Sequence, residues 1–374
     1  KNYRRSVISL FFILFSNIAI ASNNFKQCQM KADDDSFRPI KVTYFAIEPP
    51  ERMFWRLTYE FMKEVAVSLG IDLTVEIIGS ENKNNYDFVN FIENKITSVN
   101  KPDYVVGHFY LNGESAFLDL LEKHQIEHFS INSSLGLSIT RRIGIPRQKY
   151  KNWLGHMKPN DYGAGKSSMA FLLNSYFSNN EENKIAAISG PKLSLVARNR
   201  LLGMMDESDL LASNRLPTVF TDWSRTSAKV EFEKVLNRVN HINKVWTAGA
   251  DTALGVIDAM ESMGLKPGID AHITTFDWST DIIAAIKQGK IEATYGGHFT
   301  EGGWALLLLL DYANGLDFID ELSSNILTEL QPINKQNLEY YEKLLVNEEW
   351  RNIDFRSRSK CFNPNLSRYN FSLN

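Results

Sequence analysis

The stretch that decides the fold is ITTFDWSTDIIAAIKQG, residues 273–289. Its first four residues are apolar or β-branched and predict a short buried strand, and residues 281–288 repeat their apolar positions with helical spacing. Gly289 then ends the helix, because glycine takes the left-handed cap conformation at little cost. Phe276 and Asp277 therefore lie side by side at the carboxyl end of a strand, which is where ligands bind in an open α/β sheet.

This pair of side chains suits a hydroxyl-rich ligand. A carboxylate such as that of Asp277 accepts hydroxyl hydrogen bonds, and an aromatic face such as that of Phe276 can cover the C–H face of a sugar ring. The structural alternative is a polar turn in which Asp277 or Asp281 only caps the helix that follows. The stretch alone leaves both interpretations open.

Outward from this stretch, short apolar segments alternate with amphipathic ones along almost the whole chain. The apolar segments predict strands at 40–46, 72–78, 104–107, 127–132, 153–157, 184–189, 217–221, 244–247, 273–276 and 292–295. The amphipathic segments predict helices at 54–69, 86–97, 115–124, 162–176, 196–205, 228–239, 251–263, 281–288, 300–313 and 337–345. This alternation is typical of parallel sheets covered by helices on both faces. Because the pattern pauses over 133–152 and then restarts, we predict an α/β fold of two Rossmann-like lobes joined by a hinge near 155–159.

The length of 374 residues also favours two lobes over a single hydrophobic core. We predict a signal peptide at 1–21, an N-terminal arm at 22–38, an N-terminal lobe at 39–157 and 298–325, a C-terminal lobe at 158–297 and 326–345, and a tail at 346–374. A hydrophobic content of 44% and a charged content of 23% are ordinary for a globular protein. The formal charge of −3 gives no reason to expect nucleic acid or an anionic membrane surface as a partner.

The N-terminus predicts export. Three basic residues lie within the first five positions, an apolar run covers residues 7–20, and Ala19-Ile20-Ala21 has the small-x-small pattern of a cleavage site. We therefore predict a cleaved secretory signal peptide over residues 1–21, while the shortness of the apolar run disfavours an uncleaved membrane anchor. Export exposes the chain to an oxidising compartment, where its two cysteines, Cys28 and Cys361, could form one disulfide.

The sequence lacks the short motifs of common catalytic and nucleotide sites. It contains no G-x-S-x-G, no H-E-x-x-H and no G-x-x-x-x-G-K-[ST], and no G-x-G-x-x-G follows the first predicted strand. Its seven histidines are scattered, with no pair at metal-ligand spacing near a carboxylate. We therefore expect a binding protein rather than an enzyme, with neither a cofactor nor a metal.

Aromatic and polar side chains follow several predicted strands in both halves of the chain. If the carboxyl ends of the two sheets face a shared cleft, these side chains converge there. The candidate ligand-binding residues are Phe54, Trp55, Asn132, Arg200, Trp223, Asp251, Phe276, Asp277 and His298. Aromatic walls, a few Asp and Asn side chains and one Arg make a site for a small, neutral, polyhydroxylated ligand.

Several of these residues also have a structural explanation. Phe54 and Trp55 could belong to the core at helical spacing, and Arg200 could be a solvated charge on a helix. Asp251 is a natural N-cap for the helix that follows it, and Asp161 is expected to cap the helix that begins after it in the same way.

The sequence resembles the periplasmic sugar-binding proteins of the ribose-binding type over about residues 40–335. The segments that show the resemblance are AGADTALG at 248–255, FD at 276–277 with AIKQGKIEAT at 285–294, RNRLLGM at 198–204 and the aromatic pair Phe54-Trp55. The resemblance implies the type I periplasmic-binding-protein fold and ligand contacts by Phe54, Trp55, Asn132, Arg200, Trp223, Phe276 and Asp277. The aromatic pair, the N-terminal arm and the length are also similar to the autoinducer-2 receptor branch of the family.

The resemblance further implies a function in the periplasm: capture of a small neutral polar ligand, a sugar or a sugar-like molecule, by hinge closure, and its delivery to the permease of an ABC importer. The alternative partner is the outer domain of a membrane sensor kinase. The chain departs from the family pattern at three positions, with Ala250 in place of Asn, Gly297 in place of Gln or Arg, and Ser133 in place of Arg. His298, otherwise a structural or rim group, could fill the space left by Gly297.

Overall fold

The computed structural model describes residues 40–48, 50, 53–78, 84–99, 101–109, 113–174, 183–210 and 214–373. The predicted signal peptide, the predicted N-terminal arm and Cys28 lie outside these residues, so that the signal peptide and the disulfide with the buried Cys361 stay predictions. Within the described residues, none of the helices combines the length and the apolar character that crossing a bilayer requires.

The first half of the chain builds a six-stranded parallel sheet. Its strands are β1 (Lys41–Ala46), β2 (Asp72–Ile77), β3 (Tyr104–Gly107), β4 (Glu127–Ile131), β5 (Trp153–Pro159) and β12 (Asn325–Thr328). Their order across the sheet is β2-β1-β3-β4-β5-β12. β1, β3, β4 and β5 are buried along almost their whole length, as expected for parallel strands that are covered on both faces.

The second half builds a second sheet with the same winding. Its strands are β6 (Lys184–Ser189), β7 (Asn214–Arg215), β8 (Val219–Phe220), β9 (Lys244–Thr247), β10 (His272–Phe276), β11 (Ala293–Gly296) and β13 (Gln331–Asn334). The order is β7-β6-β9-β10-β11-β13, β8 also pairs with β6, and β13 runs antiparallel to β11. Both sheets thus follow the doubly wound 2-1-3-4-5 order, whose switch points lie between β1 and β3 and between β6 and β9.

Helices connect the strands and cover the sheets, as the alternating sequence predicts. They are α1 (Met53–Leu69), α2 (Asn85–Ile96), α3 (Glu114–Lys123), α4 (Leu137–Ile143), α5 (Asp161–Asn174), α6 (Leu195–Leu210), α7 (Arg225–Leu236), α8 (Ala250–Ser262), α9 (Thr280–Lys287), α10 (Glu301–Ala313) and α11 (Leu338–Leu345). The very apolar α10 is buried and packs against α1 and the first sheet.

Two glycines let α5 and α6 pack closely beside the second sheet. A Cβ atom on Gly165 would lie 2.1 Å from the carbonyl oxygen of Arg200, and one on Gly203 would lie 2.0 Å from that of Tyr162. Any side chain at either position would push the helices apart. This close approach brings the start of α5 next to Arg200 on α6, which matters for the site described below.

The chain passes between the two sheets three times, between β5 and α5, between β11 and α10, and between β12 and β13. Hydrogen bonds join these crossovers: Asn160 Nδ2 donates to Glu329 Oε1 at 2.9 Å, and the carboxylate of Glu301 accepts from the Asn132 N–H at 2.9 Å and from the Thr328 hydroxyl. Burial raises the pKa of Glu301 to about 8, despite these hydrogen bonds. The three crossovers therefore form one connected hinge region.

The C-terminal tail packs on the first half of the molecule. The buried carboxylate of Asp311 in α10 accepts hydrogen bonds from four tail groups, namely the Ser359 hydroxyl, the Lys360 and Cys361 N–H groups and the Tyr369 hydroxyl. Four donors satisfy a buried carboxylate well, which explains how a largely polar tail stays attached to an apolar helix.

The structure differs from the sequence prediction where segments are short. α4 lies within the stretch 133–152 that showed no period, and β12 and β13 have only four residues each. The strand predicted at 217–221 is shortened to β8, and the two-residue β7 that precedes it was not predicted. Pro217 lies between β7 and β8 and has no N–H for the ladder. β12 pairs with β5 and so extends the first sheet past residue 325, where the predicted lobe ended.

Candidate ligand-binding cleft between the two sheets

A cleft of about 310 Å³ lies between the carboxyl ends of the two sheets. Its volume falls at the lower end of the range of about 300–1,000 Å³ that is usual for small-molecule sites. Eight of the nine residues proposed from the sequence line it, namely Phe54, Trp55, Asn132, Arg200, Trp223, Asp251, Asp277 and His298. The carboxyl ends of doubly wound sheets thus bring these side chains together, while their contact with a ligand stays a prediction.

Arg200 is the centre of a buried ion cluster at the floor of the cleft. Its Nε donates to Asp161 Oδ1 at 2.9 Å, and its Nη1 donates to the Ala248 carbonyl oxygen at 2.9 Å. The same Nη1 lies 3.5 Å from Asp277 Oδ1, and Nη2 lies 3.3 Å from His298 Nε2. Only 3% of the Arg200 side chain and 1% of the Asp161 side chain are exposed, against 22% for Asp277. The guanidinium therefore binds a hidden carboxylate and orients a second one, that of Asp277, towards the cleft.

Phe276 is the one predicted site residue that does not line the cleft. It is fully buried, and its ring packs against Trp246 and Tyr295. The reason is that Phe276 still belongs to the pleat of β10 and points into the layer between sheet and helices, whereas the chain turns at Asp277. The guanidinium carbon of Arg200 lies 4.6 Å from the centroid of this ring, so that Phe276 supports Arg200 from behind by a cation–π contact.

Three of the cleft residues have left-handed backbone conformations. The φ angles are 45° for Asn132, 71° for Trp223 and 69° for Asp277. Such conformations cost residues other than glycine about 1–3 kcal/mol and persist only where the surroundings fix them. Asp277 is fixed on both sides, because its N–H donates to the Tyr295 carbonyl at 2.9 Å and its own carbonyl accepts from Thr294 Oγ1 at 2.7 Å. Backbone strain of this kind clusters at ligand sites, which supports the assignment of the cleft.

Two glycines form a slot for the indole ring of Trp223. A Cβ atom on Gly190 would lie 2.4 Å from the Trp223 ring. A Cβ atom on Gly249 would lie 3.3 Å from the other edge of the ring and 3.3 Å from Asp277 Oδ2. The absence of a side chain at Gly249 therefore allows an aromatic face and a carboxylate to lie next to each other at the cleft surface.

Phe54 and Trp55, at the start of α1, form the aromatic wall on the side of the first sheet. Their ring centroids are 5.1 Å apart at an interplanar angle of 86°, and the Phe54 ring lies 4.7 Å from the His298 ring. Trp55 packs edge-on against His108 at 5.1 Å, and the hydroxyl of Tyr44 holds His108 Nε2 at 2.7 Å. Both residues of the pair are only partly buried, so they belong to the cleft wall as well as to the edge of the core.

Burial and neighbouring charges shift the titration of the cluster. Desolvation raises the pKa of Asp277, an effect that Arg200 reduces and the charge of Asp251 increases. Desolvation likewise raises the pKa of Asp161, again opposed by Arg200. Desolvation and the positive charge of Arg200 lower the pKa of His298 well below its usual value. His298 is therefore a neutral imidazole at neutral pH, and its Nδ1 has no hydrogen-bond partner within the described residues.

The helix caps at the cleft differ from those the sequence suggested. Asp251 is not an N-cap, because the capping position of α8 is Gly249 and Asp251 is an exposed residue of the first turn. Ser279, rather than Asp277 or Asp281, caps α9 with its hydroxyl. The carboxylates of Asp251 and Asp281 are thus not used for capping, which leaves them available to a ligand, whereas the Asp277 carboxylate accepts a hydrogen bond from the Ala250 N–H at the start of α8.

Sequence reasoning missed four acidic or aromatic residues in the lining or at the floor of the cleft. Asp161 was predicted as the cap of α5, but Asn160 takes that position and leaves Asp161 to pair with Arg200. Glu48, Trp278 and Asp281 also line the cleft. Glu48 follows β1, and Trp278 and Asp281 follow β10, so applying the strand-end rule a few residues further would have included them.

Comparison with known proteins agrees with this fold. Residues 151–317 match the family model described as a periplasmic binding protein domain. A periplasmic sugar-binding protein from Pseudomonas fluorescens is similar over 89% of this chain and 98% of its own, with a TM-score of 0.77 and 26% sequence identity. This chain has the fold of a type I periplasmic binding protein. No curated protein matches its sequence significantly.

Two further binding proteins show the same fold at lower identity. The arabinose-transporter component from Shewanella sp. ANA-3, bound to α- and β-L-arabinofuranose, has a TM-score of 0.67 and 18% identity, over 83% of this chain and 98% of its own. A solute-binding protein from Actinobacillus succinogenes, with bound D-allose, has a TM-score of 0.69 and 17% identity, over 81% of this chain and 100% of its own. The resemblance to periplasmic binding proteins is thereby confirmed, whereas the autoinducer-2 branch stays a prediction.

Proposed function

We propose that this protein captures a small, hydroxyl-rich ligand, a sugar or a sugar-like molecule, in the cleft by hinge closure and delivers it to an ABC importer in the periplasm. The observation that supports this most is the pairing of a partly buried, Arg200-oriented carboxylate at Asp277 with the aromatic faces of Trp55 and Trp223 in one cleft. The similar proteins with bound arabinofuranose and allose support the ligand class. The predicted signal peptide supports the location.

Each group has a defined task in this proposal. The Asp277 carboxylate accepts hydrogen bonds from ligand hydroxyls, and Arg200 orients it and opposes the rise of its pKa that desolvation causes. Trp223 and the pair Phe54 and Trp55 cover the C–H faces of the ring from the two sides of the cleft. These are binding tasks, and we propose that the protein is not an enzyme.

Closure follows from the position of the cleft between the two sheets. A ligand that touches Trp55 on one side and Asp277 on the other makes both sets of contacts only when the rims are close together. Binding therefore favours the closed form by population shift, with the three crossovers as the hinge. A membrane partner would recognise the closed form of the protein.

The membrane partner is either the permease of an importer or the outer domain of a sensor kinase. Pull-down with the ligand-loaded protein from solubilised membranes of cells that produce it separates the two, because the captured partner is identified directly as a permease or as a kinase. We propose the permease, since the similar proteins from Shewanella sp. ANA-3 and Actinobacillus succinogenes belong to ABC transporters.

The test of the ligand class is a thermal-shift screen against pentoses and hexoses, followed by calorimetry of the best binder. We expect Asp277→Asn to lower the affinity at least about tenfold, because hydrogen bonds to a charged acceptor contribute about 1.5–3 kcal/mol each. Asparagine is the right replacement, since it tolerates the positive φ of this position. Asp320→Asn, at an exposed aspartate of the first lobe, is the matched control. An unchanged affinity in Asp277→Asn would reject the placement of the site, and a screen without any binder would reject the ligand class.

A further inference from the structure

The carboxylates of the cleft outnumber its cations. Arg200 is the one cationic residue in the lining, as far as the described part of the chain extends. Apart from Glu48, which already takes part in an interaction of its own, the acidic residues of the lining and the floor are Asp251, Asp277, Asp281 and Asp161. These four carboxylates and one guanidinium give the described part of the cleft a formal charge of −3.

The single cation is not available to a ligand. The guanidinium of Arg200 already binds Asp161, the Ala248 carbonyl, Asp277 and His298, and 3% of its side chain is exposed. An anionic ligand would therefore meet carboxylates without an accessible counter-charge. A ligand with hydroxyl groups alone would leave Asp251 and Asp281 without a counter-charge from the ligand.

Helix dipoles reduce this negative charge but do not cancel it. The helices α1, α6, α8 and α9 begin beside the cleft, and the N-terminus of each is equivalent to about +0.5 of an elementary charge. Together they offset about two of these three charges and leave about −1. Arg225 also interacts with the charges of Asp251 and Asp281, but its guanidinium is bound to both carboxylate oxygens of Asp258, at 2.6 and 2.8 Å.

Aromatic faces stand beside these carboxylates. Trp55, Trp223 and Phe54 line the same cleft, and none of the three is fully buried. A cation gains electrostatic energy over the face of an aromatic ring, and tryptophan is the best such ring. A negative cleft with aromatic walls is the arrangement that binds organic cations.

We propose that the ligand of this cleft is a hydroxyl-rich molecule that carries a protonated amine, that is, an amino sugar or a close analogue. The proposal rests on the proposed function and refines it from a neutral ligand to a cationic one. The hydroxyl groups bind Asp277 and Asn132, while the ammonium group donates its three hydrogen bonds towards Asp251 and Asp281. The unpartnered Nδ1 of His298 provides a further polar group beside the ligand.

The test uses matched sets of monosaccharides that differ only in charge. Each set contains a neutral hexose, its 2-amino-2-deoxy analogue, the N-acetylated form of that analogue and the corresponding uronate, measured by thermal shift and then by calorimetry at pH 6.5. In the set that binds, we expect the amine to bind at least about tenfold more tightly than the neutral hexose, which corresponds to about 1.4 kcal/mol. Acetylation should remove the advantage, and 0.5 M NaCl should reduce it.

Substitutions identify the carboxylates responsible. Combining Asp251→Asn with Asp281→Asn should lower the ratio of amine to hexose affinity to about one, whereas Asp320→Asn should leave it unchanged. Circular dichroism and the melting temperature show whether the double variant is folded. If it is not, the two single variants, each expected to lower the ratio at least about threefold, replace it.

The outcomes separate this proposal from the proposed function. A neutral hexose that binds as tightly as its amine, or an amine preference that survives both substitutions, overturns the cationic ligand but leaves sugar capture standing. A complete absence of binding in every set overturns the proposed function and this inference with it.

Discussion

Replacing Arg200 by methionine perturbs the cluster that holds the cleft together. Methionine keeps much of the apolar stem and removes the charge. The substitution leaves the buried carboxylate of Asp161, with 1% of its side chain exposed, without its counter-ion. It also removes the hydrogen bond to the Ala248 carbonyl at 2.9 Å.

The magnitude follows from the protonation of the stranded carboxyl group. Removing one partner of a buried ion pair usually costs about 3–5 kcal/mol. The loss has an upper limit, because the carboxyl can take up a proton at about 1.4 kcal/mol for each pH unit above its ordinary pKa of about 3.9. At pH 7 this limit is about 4 kcal/mol, and at pH 5 it is about 1.5 kcal/mol. Since the variant raises the pKa of Asp161 in the folded state, its deficit in unfolding free energy must grow as the pH rises.

The assay is equilibrium unfolding in urea, followed by fluorescence, at pH 5 and at pH 7. Arg225→Met is a matched control, because Arg225 binds Asp258 through two hydrogen bonds in the same lobe, yet 51% of its side chain is exposed. Exposed pairs contribute about 0–1 kcal/mol, so the control should lose little at either pH. The double variant Arg200→Met with Asp161→Asn should be more stable at pH 7 than Arg200→Met alone, because no buried charge is stranded.

Equal losses in Arg200→Met and in Arg225→Met would refute this reasoning, since burial would then have no influence on the cost. A deficit that does not change between pH 5 and pH 7 would refute it as well. In that case the destabilisation would come from lost packing over Phe276 and not from the charge of Asp161.

Two other predictions follow from the glycine slot and from the buried histidines. Gly190→Ala places a Cβ 2.4 Å from the Trp223 ring and should weaken ligand binding at least about tenfold in calorimetry. The control Gly136→Ala, whose Cβ would lie 3.8 Å from its nearest neighbour, should bind the ligand normally. Equal ligand affinities in the two variants would exclude a role for the position of the Trp223 indole. Burial lowers the pKa of His128 to about 3, so that the folded state binds fewer protons and its stability falls as the pH drops below about 6.5. Between pH 7.5 and pH 5, His128 should lower the free energy of unfolding by about 2 kcal/mol, and His128→Phe should abolish this pH-dependent loss in urea titrations. Identical pH profiles of stability for the wild type and His128→Phe would contradict the lowered pKa of His128.

Strands with a clear apolar pattern could be predicted from the sequence, because the pattern lies within each segment. The segments 104–107, 184–189 and 244–247 are short apolar runs bounded by polar turns, and their predicted bounds agree with β3, β6 and β9. β12 and β13 could not be found in this way. Their sequences, NILT and QPIN, are not apolar runs, and their pairing depends on β5 and β11, which are far away in the sequence.

The residues of the site likewise differ in whether neighbouring or distant parts of the sequence determine their role. Positions after strands were enough to propose Trp223 and Asp277, because the carboxyl ends of parallel strands share one edge. Sequence spacing could not show which aspartates face a cation. Asp161 looked like a cap, and its actual role depends on Arg200, 39 residues away, and on the close packing of α5 against α6.

The partners of Arg200 connect the ligand site to the hinge. Asp161 begins α5 directly after the first crossover, and His298 lies in the second crossover, between β11 and α10. A ligand that draws Asp277 towards itself changes one contact of Arg200 at the cleft, and the other contacts of the guanidinium are with these two crossover residues and with the Ala248 carbonyl. The chain therefore has a short physical route from ligand to hinge. For this reason a substitution at Arg200 should change how far the lobes close as well as how tightly the ligand binds.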